Sequence, residues 1–405
     1  MKRKALLILS GAVLSIVVLG VINKTNIERL WFVKNLFSGA EQYQNFGRLH
    51  EMFPVTTMTA AEEVFNFPSG EQLELPKRFH YENSAIDVEA FLDATDTSGL
   101  LVLQNGKVRF ERYMLTGGRD VNWLSMSVAK SVIASGIGIA IDEGLIDIQK
   151  SMTDYVPALK GSAYDQVRVK DVLQMSSGAA WNEDYSNPDS EVLKMGCVMA
   201  AGDSLNDFVA NMTREFEPGT VNRYNSGDTQ ALGLLLTKAT GRSITDYLTE
   251  KLWHPLGMES DAYWLIDDYQ MEMAFGGLNA TARDYAKIGE LYRLKGNWQG
   301  KQILSAQWVQ DATTPDAPHL MPGVNKDFPL GYAYQWWIPE SSEGEFSAIG
   351  VYNQFIYVNP ARDLVIVKLS ANSEYGTTMT EEANKELRTL ELFRAIAEKA
   401  TGEII

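Results

Sequence analysis

The sequence predicts an α+β fold: one antiparallel sheet built from both ends of a large domain and flanked by helices, with a helical subdomain inserted between those ends. Three observations carry this. Leu100-Leu101-Val102-Leu103-Gln104 and Val108-Arg109-Phe110-Glu111-Arg112-Tyr113 flank Asn105-Gly106, the pair that best tolerates the positive φ of a tight hairpin turn. Phe355-Ile356-Tyr357-Val358 and Leu364-Val365-Ile366-Val367 surround Asn359-Pro360-Ala361-Arg362-Asp363, a second strand pair joined by a turn. Between them, residues 127–310 are dominated by helical spacing, as in Leu232, Leu235, Leu236 and Ala239, and another helix is expected over residues 381–400. Strands segregated from helices in this way place a cleft where the sheet meets the inserted helices.

Along the chain, Lys2-Arg3-Lys4 precedes an uncharged, mainly apolar run over residues 5–22. Such a run is just long enough to cross a membrane as a helix, and Val18-Leu19-Gly20 offers a small-residue cleavage site. Residues 1–22 are therefore expected to be an uncleaved anchor or a signal segment. The basic flank keeps the N-terminus in the cytoplasm and puts the rest on the outer side of the inner membrane, or in the secreted fraction after cleavage. Residues 23–85 read as a membrane-proximal arm. Ile27, Leu30, Trp31, Val33, Leu36 and Phe37 recur at helical intervals, suiting a helix on the membrane surface or packed on the domain, and Pro54, Pro68 and Pro76 keep the later part extended. Residues 86–405 form the main domain.

Composition narrows the function. The 405 residues are 45% hydrophobic and 22% charged, ordinary globular values. A formal net charge of -16, with Lys and Arg scattered, argues against nucleic acid as a partner. Cys197 is the single cysteine and stands in an apolar stretch, which reads as a buried, inert thiol. His50, His80, His254 and His319 show no paired spacing, so no metal site is expected.

Gly-x-Ser-x-Gly is missing, so a serine nucleophile would need a base other than the usual histidine. Ser127-Val128-Ala129-Lys130 opens an apolar run through Val132, Ile133, Ile137 and Ile141. On a helix, Lys130 returns to the face of Ser127, where burial lowers a lysine's pKa and leaves neutral amine to accept the serine proton. The backbone N–H of Ser127 at the helix start faces a developing oxyanion. Alone, Ser-x-x-Lys is weak, because a serine before an apolar run is more often an N-cap, and Ser125 competes for that place. The turn-rich loop ending in Tyr224-Asn225-Ser226-Gly227, ahead of a helix expected from about Thr229, displays a tyrosine that can share a proton with Lys130.

With those motifs the chain resembles class C β-lactamases, D-alanyl-D-alanine peptidases and their esterase and 6-aminohexanoate-dimer hydrolase relatives. Further similar segments are Leu173-Gln174-Met175-Ser176-Ser177-Gly178, Pro255-Leu256-Gly257-Met258 and Gly276-Gly277-Leu278-Asn279-Ala280-Thr281-Ala282-Arg283-Asp284. The resemblance implies a β-lactamase-like fold without cofactor. It also implies that Ser127 attacks a carbonyl, that Lys130 and Tyr224 pass the proton to the leaving group, and that water hydrolyses the acyl-enzyme. A second oxyanion donor is then expected from the strand Ala348-Ile349-Gly350-Val351, as the Val351 N–H, with Gly350 against the substrate. An ordinary strand with a close-packing glycine is the competing reading.

Departures from the family direct the choice within it. Ser226 stands where penicillin-processing members carry an asparagine, and Ala348-Ile349-Gly350 where they carry Lys-Thr-Gly. The esterase and nylon-oligomer hydrolase branch fits better, with a small amide or ester as substrate. Tyr185, in Trp181-Asn182-Glu183-Asp184-Tyr185, is a candidate substrate contact, unless that stretch is only a solvated acidic loop. Tyr332, Tyr334, Trp336 and Trp337 suit a pocket wall or core. A β-lactamase or cell-wall peptidase is the alternative enzyme, and a catalytically silent ligand-binding or sensor module on the same fold is the alternative from another class. The sequence carries no sign of oligomeric state.

Overall fold

The computed structural model describes residues 28–29 and 36–402. The apolar run over residues 5–22, and most of the amphipathic pattern after it, lie outside the described residues. Among those described, no helix is long and apolar enough to cross a membrane.

Strands β1 (Thr97–Gln104), β2 (Lys107–Tyr113), β3 (Gly331–Tyr332), β4 (Trp337–Ile338), β5 (Phe346–Gly350), β6 (Gln354–Asn359) and β7 (Leu364–Ser370) form one antiparallel sheet in the order β3-β4-β5-β6-β7-β1-β2. Both chain ends contribute, and β1 joins them by pairing with β7. Asn105 and Gly106, with φ of 51° and 68°, make the tight turn between Gln104 and Lys107. The second turn closes through the 3-10 segment Pro360–Arg362 and Asp363 in the left-handed region.

The sheet is buried on both faces, so its central strands read as continuous apolar runs rather than as alternation with polar residues. Side chains still divide with a period of two. Leu101, Leu103, Ile356, Val358, Val365 and Val367 join one core, while Leu100, Val102, Phe355, Tyr357, Leu364 and Ile366 join another. The first core is closed by helices α1 (Val128–Asp142), α2 (Glu191–Ala201), α3 (Ser226–Thr240) and α4 (Ala282–Arg293). The second is closed by α5 (Glu386–Thr401), whose Phe393 ring lies 5.4 Å from Phe355 and 5.3 Å from Tyr357.

Three expectations change in detail. The helical middle also holds part of a four-stranded antiparallel sheet, ordered Val55–Met58, Ala262–Leu265, Leu278–Ala280, Trp123–Leu124. One of its strands comes from the arm, which is also tied in by Phe46 stacked 5.4 Å from Trp123 and by the Gln42 amide donating to the carbonyls of Ala371 and Asn372. The helix expected over residues 381–400 is two helices, Glu381–Asn384 and α5, because Lys385 takes a left-handed φ of 57°. Finally, α3 starts at Ser226, where the Asn225 side chain accepts from the Asp228 N–H as an N-cap.

Parts of two of the family-like segments hold the frame. Asp284 accepts from the backbone N–H groups of Glu259 and Ser260, and Lys287 donates 2.7 Å to the Gly257 carbonyl, which locks Pro255-Leu256-Gly257-Met258 against α4. His254 bonds Thr59 at 3.1 Å in exposed packing and does not line the cleft.

Candidate active site

Ser127 occupies the N-cap position of α1, yet its side chain caps nothing. The hydroxyl instead receives a 2.8 Å hydrogen bond from Lys130 Nζ, one helical turn on. Met126, immediately before, sits at φ 47°, a strained turn that lifts Ser127 onto the helix end. Ser125, the rival cap, spends its hydroxyl on the Met126 carbonyl.

Lys130 is fully buried, and its ammonium also donates to Ser226 Oγ at 3.0 Å and to the Phe275 carbonyl at 2.8 Å. Burial brings its pKa down to about 8, with the charge of Glu183 opposing the shift. Tyr224 presents its ring to the same amine, 5.1 Å from centroid to Nζ. That ring is clamped by Trp337, stacked at 5.0 Å, and by Tyr332, edge-on at 6.0 Å. Burial, then Glu183, holds the phenol well above its usual pKa, while a hydrogen bond with Ser127 pulls the other way. The three side chains named from the sequence therefore converge on one place, with an amine able to lose its proton and a phenol that keeps its own.

Two partners of this cluster were not legible as such in the sequence. Ser226, notable there only as a missing asparagine, holds Lys130. Glu183 in turn holds Ser226, accepting from its Oγ at 2.6 Å and its N–H at 3.1 Å. Glu183 also accepts from Trp181 Nε1, and from Tyr185 Oη at 3.1 Å, so the acidic loop is bound into the site rather than solvated. Behind α3, Asp228 is pushed up to about 7 by burial and accepts from Ser177 Oγ at 2.7 Å and Tyr164 Oη at 3.1 Å. That fastens the helix bearing Ser226 to the Ser176-Ser177-Gly178 turn.

A cleft of about 670 Å³ opens over the cluster, lined by Ser127, Glu183, Tyr185, Tyr224, Trp337 and Val351 among others. Strand β5 reaches it because β4 covers β5 only at Ser347, leaving the Gly350 end open toward α1. Gly350 is there pressed against the start of α1, and Val351 follows it into the cleft wall. Of the aromatic stretch, Trp337 is in the wall, whereas Tyr332, Tyr334 and Trp336 are buried. A larger recess, about 780 Å³, lies around Asp203, Asp207 and Tyr269 and touches none of Ser127, Lys130 or Tyr224.

Cys197 corrects the sequence reading, for it is exposed rather than buried. Val192, Met195, Val198 and Met199 take the inner face of α2, and that spacing turns residue 197 outward. Among the described residues no group of side chains could hold a metal ion.

Comparison with known proteins gives the family. Residues 88–390 match the family model described as Beta-lactamase. The 6-aminohexanoate-dimer hydrolase of Paenarthrobacter ureafaciens is 34% identical over 294 residues, covering 70% of this chain and 75% of that protein. A solved Bacillus anthracis structure, provisionally described as a 6-aminohexanoate-dimer hydrolase, aligns with TM-score 0.80 and 25% identity over 90% of this chain and 95% of its own. A family VIII carboxylesterase shares the fold, with TM-score 0.57 and 17% identity over 77% of this chain and 95% of that one. This chain belongs to the beta-lactamase family of serine hydrolases.

Proposed function

We propose that the protein cleaves a small amide or ester through an acyl-enzyme on Ser127. Neutral Lys130 takes the serine proton as Oγ bonds to the carbonyl carbon. Tyr224 lies between that amine and the leaving group and relays the proton to the departing nitrogen or oxygen as its bond to carbon breaks. The oxyanion is held by the Ser127 and Val351 N–H groups, and Tyr185 and Gly350 border the substrate. Water, deprotonated by the same pair, then hydrolyses the acyl-enzyme.

The observation that carries the reading is the buried 2.8 Å contact between Lys130 Nζ and Ser127 Oγ, with the amine's pKa brought down to about 8 by burial. An intact proton-transfer cluster is hard to reconcile with a silent binding module. Purified protein should react with a fluorophosphonate probe and hydrolyse p-nitrophenyl butyrate, and Ser127→Ala should abolish both. Persistence of either in the alanine variant sinks the mechanism.

The basic, then apolar N-terminal residues further support an envelope location with the hydrolase outside the inner membrane. Cell fractionation with an externally added protease checks this; protection of the domain in intact spheroplasts would reverse the orientation.

A further inference from the structure

Ser127 stands at the junction of two cavities of opposite character. One is the cleft above. The other, about 430 Å³, shares Ser127, Tyr185 and Val351 with it and extends the other way. Its remaining wall is almost wholly apolar, built from Leu49 and Phe53 of the arm, Met126 and Phe275 beside Ser127, and Val192 and Leu193 of α2, and no charged side chain among the described residues lines it. The first cleft differs sharply: Glu183, Asp184, Asp327, Glu381 and Glu386 all reach its wall.

Tyr224 lines the acidic cleft and not the apolar cavity. A phenol that hands a proton to the leaving group must be on the leaving group's side of the carbonyl. The departing amine or alcohol therefore lies in the acidic cleft, and the acyl group extends into the apolar cavity.

We propose that this cavity binds the acyl half of the substrate as an unbranched aliphatic chain of about eight to ten carbons, which at ~30 Å³ per methylene, close to a water molecule's share of the liquid, occupies roughly 240–300 Å³ and leaves the rest of the space to the clearance between chain and wall. The substrate class is thus a medium-chain fatty acyl ester or amide. Ser127 Oγ forms the new ester bond to the chain's carbonyl carbon, the bond to the leaving oxygen or nitrogen breaks, and the serine proton departs with that group. The inference rests on Ser127 being the nucleophile. The arm acquires a role here, since its Leu49 and Phe53 form one wall, and the chain displaces water from surface that is costly to leave wet.

The test uses the full chain and p-nitrophenyl acetate, butyrate, octanoate and decanoate. Each methylene buried in the transition state contributes roughly a fourfold gain, so kcat/KM should rise from acetate to octanoate by at least about tenfold even if most of the gain is lost to imperfect fit. Gly196 lines the cavity and a Cβ on it would meet nothing within 4 Å, so Gly196→Phe adds a ring at the cavity wall without a clash at Cβ. It should lower the octanoate-to-acetate ratio of kcat/KM by about tenfold. Cys197 also lines this cavity and is exposed, so N-benzylmaleimide on the folded wild-type protein offers a second block that does not depend on a variant folding. A flat chain-length profile, or a ratio that neither block moves, overturns the proposal. Hydrolysis surviving Ser127→Ala would overturn the nucleophile assignment as well, whereas Ser127-dependent hydrolysis with an unmoved ratio removes the acyl pocket alone.

Discussion

Gly350 comes so close to the start of α1 that a Cβ on it would stand 3.0 Å from the Ser127 amide nitrogen and 2.7 Å from the Ser125 carbonyl oxygen. Both neighbours are backbone and cannot swing away. Gly350→Ala must therefore separate β5 from α1, and overpacking of that kind costs about 1–3 kcal/mol. The groups displaced are those proposed to cradle the oxyanion, so the loss of activity should exceed what the lost stability explains. A fall in kcat/KM of at least about a hundredfold is expected in protein that still melts cooperatively. Ester hydrolysis and a melting curve on the same sample check it, and near wild-type turnover would place the oxyanion elsewhere.

Lys130 fixes the pH dependence. With a pKa of about 8, it is mostly protonated at neutral pH, and only the neutral amine can accept the Ser127 proton. The kcat/KM for an ester should climb close to tenfold per pH unit on the acid side and level off above about pH 8. Arginine cannot deprotonate in this range, so Lys130→Arg should cost about a hundred- to ten-thousandfold and flatten the profile. A wild-type profile already flat from pH 6 would mean that another group is the base.

Why some of this was legible in the sequence follows from range. Ser127 and Lys130 are one turn apart, and the Asn105-Gly106 hairpin is local, so spacing alone places them. Tyr224 entered through a recognisable loop. The link from Glu183 through Ser226 to Lys130 joins three separate segments, and no spacing rule connects them. Val55–Met58 is too short and mixed to announce a strand, and it becomes one only by pairing with Ala262–Leu265. Cys197 misled because its apolar neighbours were read as a stretch, whereas the helix turns them inward and the thiol outward. The apolar cavity was out of reach for the same reason, being assembled from the arm, α2 and the residues around Ser127 and Phe275.

Glu386 gives a stability test with a definite sign. It is half-buried in the cleft wall, accepts from Tyr375 Oη at 2.8 Å, and burial pushes its carboxyl up to about 8. The folded protein therefore holds a proton that the unfolded chain releases in the ordinary carboxylate range. This group's contribution is full below that range and is lost as pH rises through about 8. Glu386→Gln keeps an acceptor for Tyr375 without titrating. Its melting temperature should match wild type near pH 4.5 and exceed it increasingly up to pH 8.5, by the equivalent of about 1 kcal/mol once access of cleft water is allowed for. A difference that does not change with pH would show that Glu386 titrates normally.

The charge of the cleft also bears on β-lactams, whose carboxylate must lie near the reacting serine. Among the described residues, Glu183, Asp184, Asp327, Glu381 and Glu386 line the cleft and no lysine or arginine does, and Ile349 fills a place where drug-processing relatives are expected to carry a polar side chain. Like charges about 5 Å apart repel by roughly 3 kcal/mol at the effective dielectric of a protein surface, or about two orders of magnitude in rate. Nitrocefin should accordingly be turned over at least about a hundredfold less efficiently than p-nitrophenyl butyrate at low salt. Because the penalty is electrostatic, raising the ionic strength should narrow the gap, and Glu386→Gln should narrow it further above pH 8, where the wild-type carboxyl is charged. Efficient nitrocefin hydrolysis at low salt, or a gap indifferent to both changes, would show that shape rather than charge decides which acyl compounds reach Ser127.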